Sequence, residues 1–220
     1  MRRLSGRKIA AAAGLLAAVS IAACSPAARM PDRGSAGPAA GADAGPAPGE
    51  RSYTGADVRF MQGMIAHHAQ ALAMTALAPA RSRREDVRLL AERIEVSQED
   101  EIAAMRRWLE KRGEAVPGPD AHHGHHGSGG HALMPGMLTP EELARLAAVT
   151  GSAFDRLFLE SMIRHHEGAL VMVRELFASR GAGQEPEIFQ FATEVDADQR
   201  VEIARMRAML DALPSGAGRR

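Results

Sequence analysis

Residues 64–74 read MIAHHAQALAM, and residues 162–172 read MIRHHEGALVM. At this offset of 98, FMQGMIAHHAQALAM (60–74) and FLESMIRHHEGALVM (158–172) share eight of fifteen residues. A duplication this long within 220 residues restricts the chain to two copies of one structural unit. Thr54/Asp57 and Ser152/Asp155, which have the form of helix caps, fall at the same offset. A second segment pairs at an offset of 101: Gln98 with Gln199, Glu101 with Glu202, Ile102 with Ile203, Met105 with Met206 and Leu109 with Leu210.

Apolar residues in both copies recur at three- and four-residue spacing, the period of an amphipathic helix. There is one Trp, one Tyr and no β-branched run, so no strand is expected. The spacing predicts helices over about 55–78, 85–112, 153–179 and 186–213, with Gly113 and Pro214 as stops. Thr139-Pro140-Glu141-Glu142 predicts a short extra helix, with Thr as cap and Pro at the first helical position. One hairpin alone would expose its apolar stripe. The expected architecture is therefore all-α: a four-helix bundle over 53–213 made of two repeated hairpins, joined by a long crossover loop at 113–138.

The first twenty-three residues carry Arg2, Arg3, Arg7 and Lys8, no acid, and an apolar run too short for a membrane span. They fit a signal peptide. Ile21-Ala22-Ala23-Cys24 resembles a lipobox, which makes Cys24, the only cysteine, a lipidation site. Residues 24–52 are Ala, Gly and Pro with few large apolar groups, the composition of a disordered tether, and 214–220 reads as a disordered tail. The expectation is an exported protein, lipid-anchored on the extracytoplasmic side of a bacterial membrane, in the periplasm or at the cell surface. Without the four leader charges, 27 − 4 = 23 basic residues face 27 acidic ones, a net of −4, which argues against nucleic acid as a partner.

The chemistry lies in the duplicated element. Adjacent residues on a helix point about 100° apart, so His67 and His68 cannot both close on one ion from one helix. His67 shares an edge with Met64 and Met74, and His68 with Met61 and Met64. The second copy supplies His165 with Met162 and Met172, and His166 with Met162; Leu159 stands where the first copy has Met61. Met105 and Met206 are added by the paired helices. Imidazole and thioether form a soft-to-borderline ligand set suited to Cu(I) and Ag(I), and adaptable to Cu(II) through nitrogen. Methionine at helical spacing is ordinarily core filler, but four imidazoles set near it, twice over, are costly to bury unless something binds them. Asp57, Glu101, Asp155, Glu167 and Glu202 are the acids able to orient a coordinated imidazole. In the crossover loop His122, His123, His125, His126 and His131 form a His-rich tract of the kind that collects ions loosely.

The doubled MIxHHxxALxM element, each followed by a Q-x-x-E-I-x-x-M-x-x-x-L helix, resembles the domain of unknown function 305 family over residues 53–213. That resemblance implies a ferritin-like four-helix bundle, usually exported, with some members tied to copper or silver binding and resistance. By position its motif residues are Met64, His67, His68 and Met74, then Met162, His165, His166 and Met172, with Met105 and Met206. Di-iron bundles use Glu-x-x-His on one helix. Here Met64, Ile65, Met162 and Ile163 occupy the positions three before each histidine, so no enzyme is expected. The functional expectation is a protein that buffers, sequesters or hands on copper, Cu(I) preferred, or silver, with copper export or resistance proteins as partners. The alternatives are a structural or partner-binding lipoprotein and, more weakly, a metal-dependent redox enzyme.

Overall fold

The computed structural model describes residues 52–118 and 133–214. Residues 1–51 with Cys24, residues 119–132 with the loop histidines His122, His123, His125, His126 and His131, and residues 215–220 lie outside the described residues. Six helices follow in order: α1 Gly55–Thr75, α2 Ala78–Arg81, α3 Glu85–Lys111, α4 Pro140–Ala148, α5 Ser152–Ala178 and α6 Pro186–Asp211. Among the described residues there is no strand, and the all-α expectation holds. No described helix is long and apolar enough to cross a membrane.

The local signals act as their chemistry dictates. The Thr54 hydroxyl accepts from the Ala56 and Asp57 amides, and the Asp57 carboxylate accepts from the Thr54 amide at 2.7 Å, which closes a capping box. Thr139 and Glu142 close another ahead of α4. Past α3, Gly113 takes φ 68°, a conformation that costs other residues a Cβ clash. Two expectations need correction. The first helix ends at Thr75, not Ala78, because the Pro79 ring would collide with the carbonyl four residues back; the chain restarts as α2. Nor does Ser152 cap α5. Gly151, at φ 61°, is the cap residue, with no side-chain bond, and its amide donates to the Arg81 carbonyl at 2.8 Å.

Asp155 is free of capping duty and accepts from the Ser82 hydroxyl at 2.5 Å, in the turn ahead of α3. Its repeat mate Asp57 reaches the other way: its second oxygen accepts from the Gly183 amide at 2.7 Å, in the turn ahead of α6. Each aspartate is buried and ties its own hairpin to the turn of the other. These crossed ties fix α1 antiparallel to α5. The backbones approach most closely within each hairpin, α1 on α3 and α5 on α6, and the halves meet along α1 and α5.

Candidate metal centre

Along the α1–α5 seam all four motif histidines are buried, at 1% exposure or less. His67 and His165 face each other with ring centroids 3.9 Å apart. His68 and His166 flank them, 6.4 Å and 6.3 Å from their chain neighbours. Sequence periodicity could place each histidine on a helix edge but could not show that the two inner ones meet across the seam.

The outer histidines each meet a carboxylate from the paired helix. His68 Nε2 lies 2.5 Å from Glu101 Oε2, and His166 Nε2 lies 2.6 Å from Glu202 Oε2. A carboxylate accepts, so Nε2 carries a proton, and in the neutral tautomer this bond selects it is Nδ1 that holds the lone pair. This sorts the five acids. Glu101 and Glu202 hold imidazoles, whereas Asp57 and Asp155 tie turns and Glu167 pairs with Arg207 at the surface. A search for Glu-x-x-His within one helix could not find these pairs, because the acid comes from the neighbouring helix; the matching offsets of Glu101 and Glu202 were the available signal.

His67 differs from His165. Its Nε2–H donates to the Pro135 carbonyl at 3.0 Å, whereas His165 Nε2 has no partner. In all, His67 Nδ1, His68 Nδ1, His165 Nε2 and His166 Nδ1 are buried without a hydrogen bond. Burial, reinforced by His68, holds the His67 pKa down to about 3. Burial, then the neighbouring His67, pushes His165 well below its usual value. Both rings are therefore neutral at physiological pH, with lone pairs available without loss of a proton. Asp198 is shifted upward by partial burial and by Glu101, Glu202 and Glu194, so the acids on α3 and α6 share one neighbourhood.

The methionines divide in a way no helical projection shows. Met74, Met162 and Met206 belong to one apolar cluster, with Phe154, Phe158 and Leu159. Met61, Met64, Met105 and Met172 belong to another, with Trp108. Met64 and Met74 share an angular edge but sit about 15 Å apart along the axis at 1.5 Å per residue. The antiparallel seam therefore brings Met64 into the cluster of Met172, and Met74 into that of Met162. Each cluster draws thioethers from both halves: Met105 stays with Met64 and Met206 with Met162, while Met74 and Met172 cross over. Six of these seven are essentially inaccessible, and Met172 is 8% exposed. Among the described residues, no three or more His, Cys, Asp or Glu stand close enough to hold an ion by themselves.

The crossover loop also enters the site, which its sequence did not announce. Gln70 clamps Leu138 through two bonds, Nε2–H to the carbonyl at 2.9 Å and Oε1 from the amide at 2.7 Å. The repeat mate of Gln70 is Gly168, and a methyl group there would run into the Pro135 carbonyl. Residues 134–138 thus form a strap lying backbone-on-backbone against α5 and over His67.

Paired hairpins with a buried layer of histidines between two methionine clusters define an all-α class with soft-ligand character. The chain belongs to the DUF305 family: the domain of unknown function (DUF305) matches residues 57–210. Among solved structures, the chain is similar to a DUF305 fragment from Deinococcus radiodurans at 33% identity and TM-score 0.61, covering 73% of this chain and 99% of that one. It is also similar to the candidate secreted DUF305 protein of Streptomyces coelicolor at 26% identity and TM-score 0.62, covering 75% and 98%. A third similar structure is CopM in its Cu(II)-bound form, at 28% identity and TM-score 0.57, covering 71% and 96%. No curated protein matches the chain.

Proposed function

We propose that this chain binds copper ions, with silver as a second soft ion, and that it buffers or hands on the ion without chemical turnover. One observation carries the reading: four buried imidazole nitrogens without partners lie between two methionine clusters. A buried, unsatisfied polar group costs about 1–3 kcal/mol, so four cost about 4–12 kcal/mol. That is comparable to the whole net stability of a domain, about 5–15 kcal/mol. Packing alone is a poor reason to keep such a layer. The copper-bound CopM relative supports the same choice of ion.

The ligands divide by helix register. His68 Nδ1 with Met64, Met105 and Met61 makes one binding position, and His166 Nδ1 with Met162 and Met206 makes the other; His67 and His165 stand between them. Thioethers complete what the histidines cannot close alone and favour the monovalent ion. Glu101 and Glu202 hold the ring orientation and raise imidazole basicity. Read as a leader with a lipidation site at Cys24, the N-terminal sequence supports the extracytoplasmic side of a membrane, where thioether resists the oxidation that would consume thiols; the secreted relative supports export. Anaerobic titration of the full-length chain with Cu(I) against a competing chelator tests the reading. His68→Ala/His166→Ala is expected to weaken binding at least a hundredfold. Equal, weak binding by wild type and variant would refute it.

A further inference from the structure

Among the described residues the strap has no counterpart in the repeat, and it brings one more thioether to one side of the histidine layer. Met134 packs against the cluster of Met61, Met64, Met105 and Met172. Two methionine side chains converge above Gly63, one turn before His67: a methyl placed there would lie 3.5 Å from Met134 Sδ and 3.4 Å from Met172 Cε. Met134 is partly exposed. Met172 also lines an open surface cleft of about 210 Å³ with Phe60 and Glu175. The partly exposed Met134 thus adjoins a buried methionine cluster whose member Met172 lies at the wall of a surface cleft, and the next residue of the strap, Pro135, touches His67.

We infer that Met134 and Met172 form a two-thioether reception site for a monovalent soft cation, Cu(I) or Ag(I), from which the ion passes to the buried histidines. Two thioethers suffice for such an ion, which accepts low coordination numbers, and they need no deprotonation before binding. Among the described residues the other methionine cluster has no strap and no counterpart of Met134, so the inferred uptake runs through this side of the molecule. The position of the strap is set by three contacts: the Gln70 clamp on Leu138, the His67 bond to Pro135, and the close approach of Gly136 to Gly168, with Gly136 at φ 76°. This inference rests on the copper-binding reading and adds the route by which the ion enters.

The test follows Ag(I) transfer from a coloured chelator complex to the full-length chain, by stopped-flow absorbance, with the equilibrium constant measured separately by dialysis. Met134→Leu preserves volume and removes only the sulfur. It is expected to slow uptake at least fivefold while the equilibrium constant stays within twofold of wild type. Met137→Leu, on the same strap, should leave the rate unchanged. Gly168→Ala, which displaces the strap without touching a sulfur, should slow uptake as well; faster uptake would make the strap a mere cover and overturn the inference. Wild-type uptake rates in Met134→Leu, with Ag(I) still bound at equilibrium, would overturn the route alone. No Ag(I) bound by wild type in dialysis would overturn the binding reading together with it.

Discussion

The two hairpins repeat each other closely in sequence but not in their surroundings. The first carries Met61, Gln70 and a histidine bonded to Pro135; the second has Leu159, Gly168 and a histidine whose Nε2 has no partner. The second and third of these differences both belong to the strap. The strap at 134–138 lies across the seam, clamped by Gln70 on α1 and seated on α5 where Gly168 has no side chain. Duplication produced a symmetric histidine layer, and a single crossover, which must pass on one side, made its two ends unlike.

The largest effect expected from disturbing this layer is on the stability of the metal-free protein against pH. His67 stays neutral until about pH 3, while in the unfolded chain it takes up a proton near its usual 6.5. Between those values the unfolded state binds the extra proton. Stability contributed by the neutral ring is therefore complete above about pH 6.5 and lost as pH falls toward 3, at about 1.4 kcal/mol per pH unit for one fully differential proton. His165 shifts in the same direction and adds to the slope. Urea unfolding from pH 7 to pH 4 should show it. His67→Gln and His165→Gln should each remove part of the slope, and an unchanged slope in both would assign the acid sensitivity elsewhere.

A smaller effect separates Gln70 from its repeat mate. Gln70→Ala deletes two buried hydrogen bonds to Leu138 and should cost about 2–3 kcal/mol in chemical unfolding. Gly168→Gln, which copies the first half into the second, should not recover that loss, because the strap fills the space above Gly168.

Next come the two carboxylates, where the halves should agree. Glu101→Gln and Glu202→Gln each remove the acceptor that fixes an imidazole, and each should weaken Cu(I) affinity about tenfold. A loss confined to one variant would mean that only one end of the layer binds an ion. The smallest expected effect is at the Met61/Leu159 pair. Leu159→Met should strengthen the second position a few-fold, and Met61→Leu should weaken the first by a similar factor, read by the same chelator competition.

Much of this could be read from the chain. Helix starts at Thr54, Thr139 and Pro186 follow from local rules of capping and ring geometry, which act within a few residues. The same holds for the stop at Gly113. The histidines and methionines of both copies were visible because duplication repeats them at one offset. Glu101 and Glu202 were visible as candidates but not as choices, since three other acids, Asp57, Asp155 and Glu167, were equally compatible with helical spacing.

What the sequence by itself determined is the unit, an amphipathic hairpin bearing His-His between methionines, and its twofold repetition; periodicity and caps are local properties that a linear chain encodes directly. Only the tertiary structure decided which residues meet. A helical projection gives angle and discards height along the axis, so it places Met64 and Met74 together on an edge. The antiparallel seam of α1 and α5 then separates them into different clusters and joins each to a methionine 98 positions from the other. The same crossing brings His67 against His165, and the strap, whose path depends on both hairpins already being in place, makes those two histidines unequal.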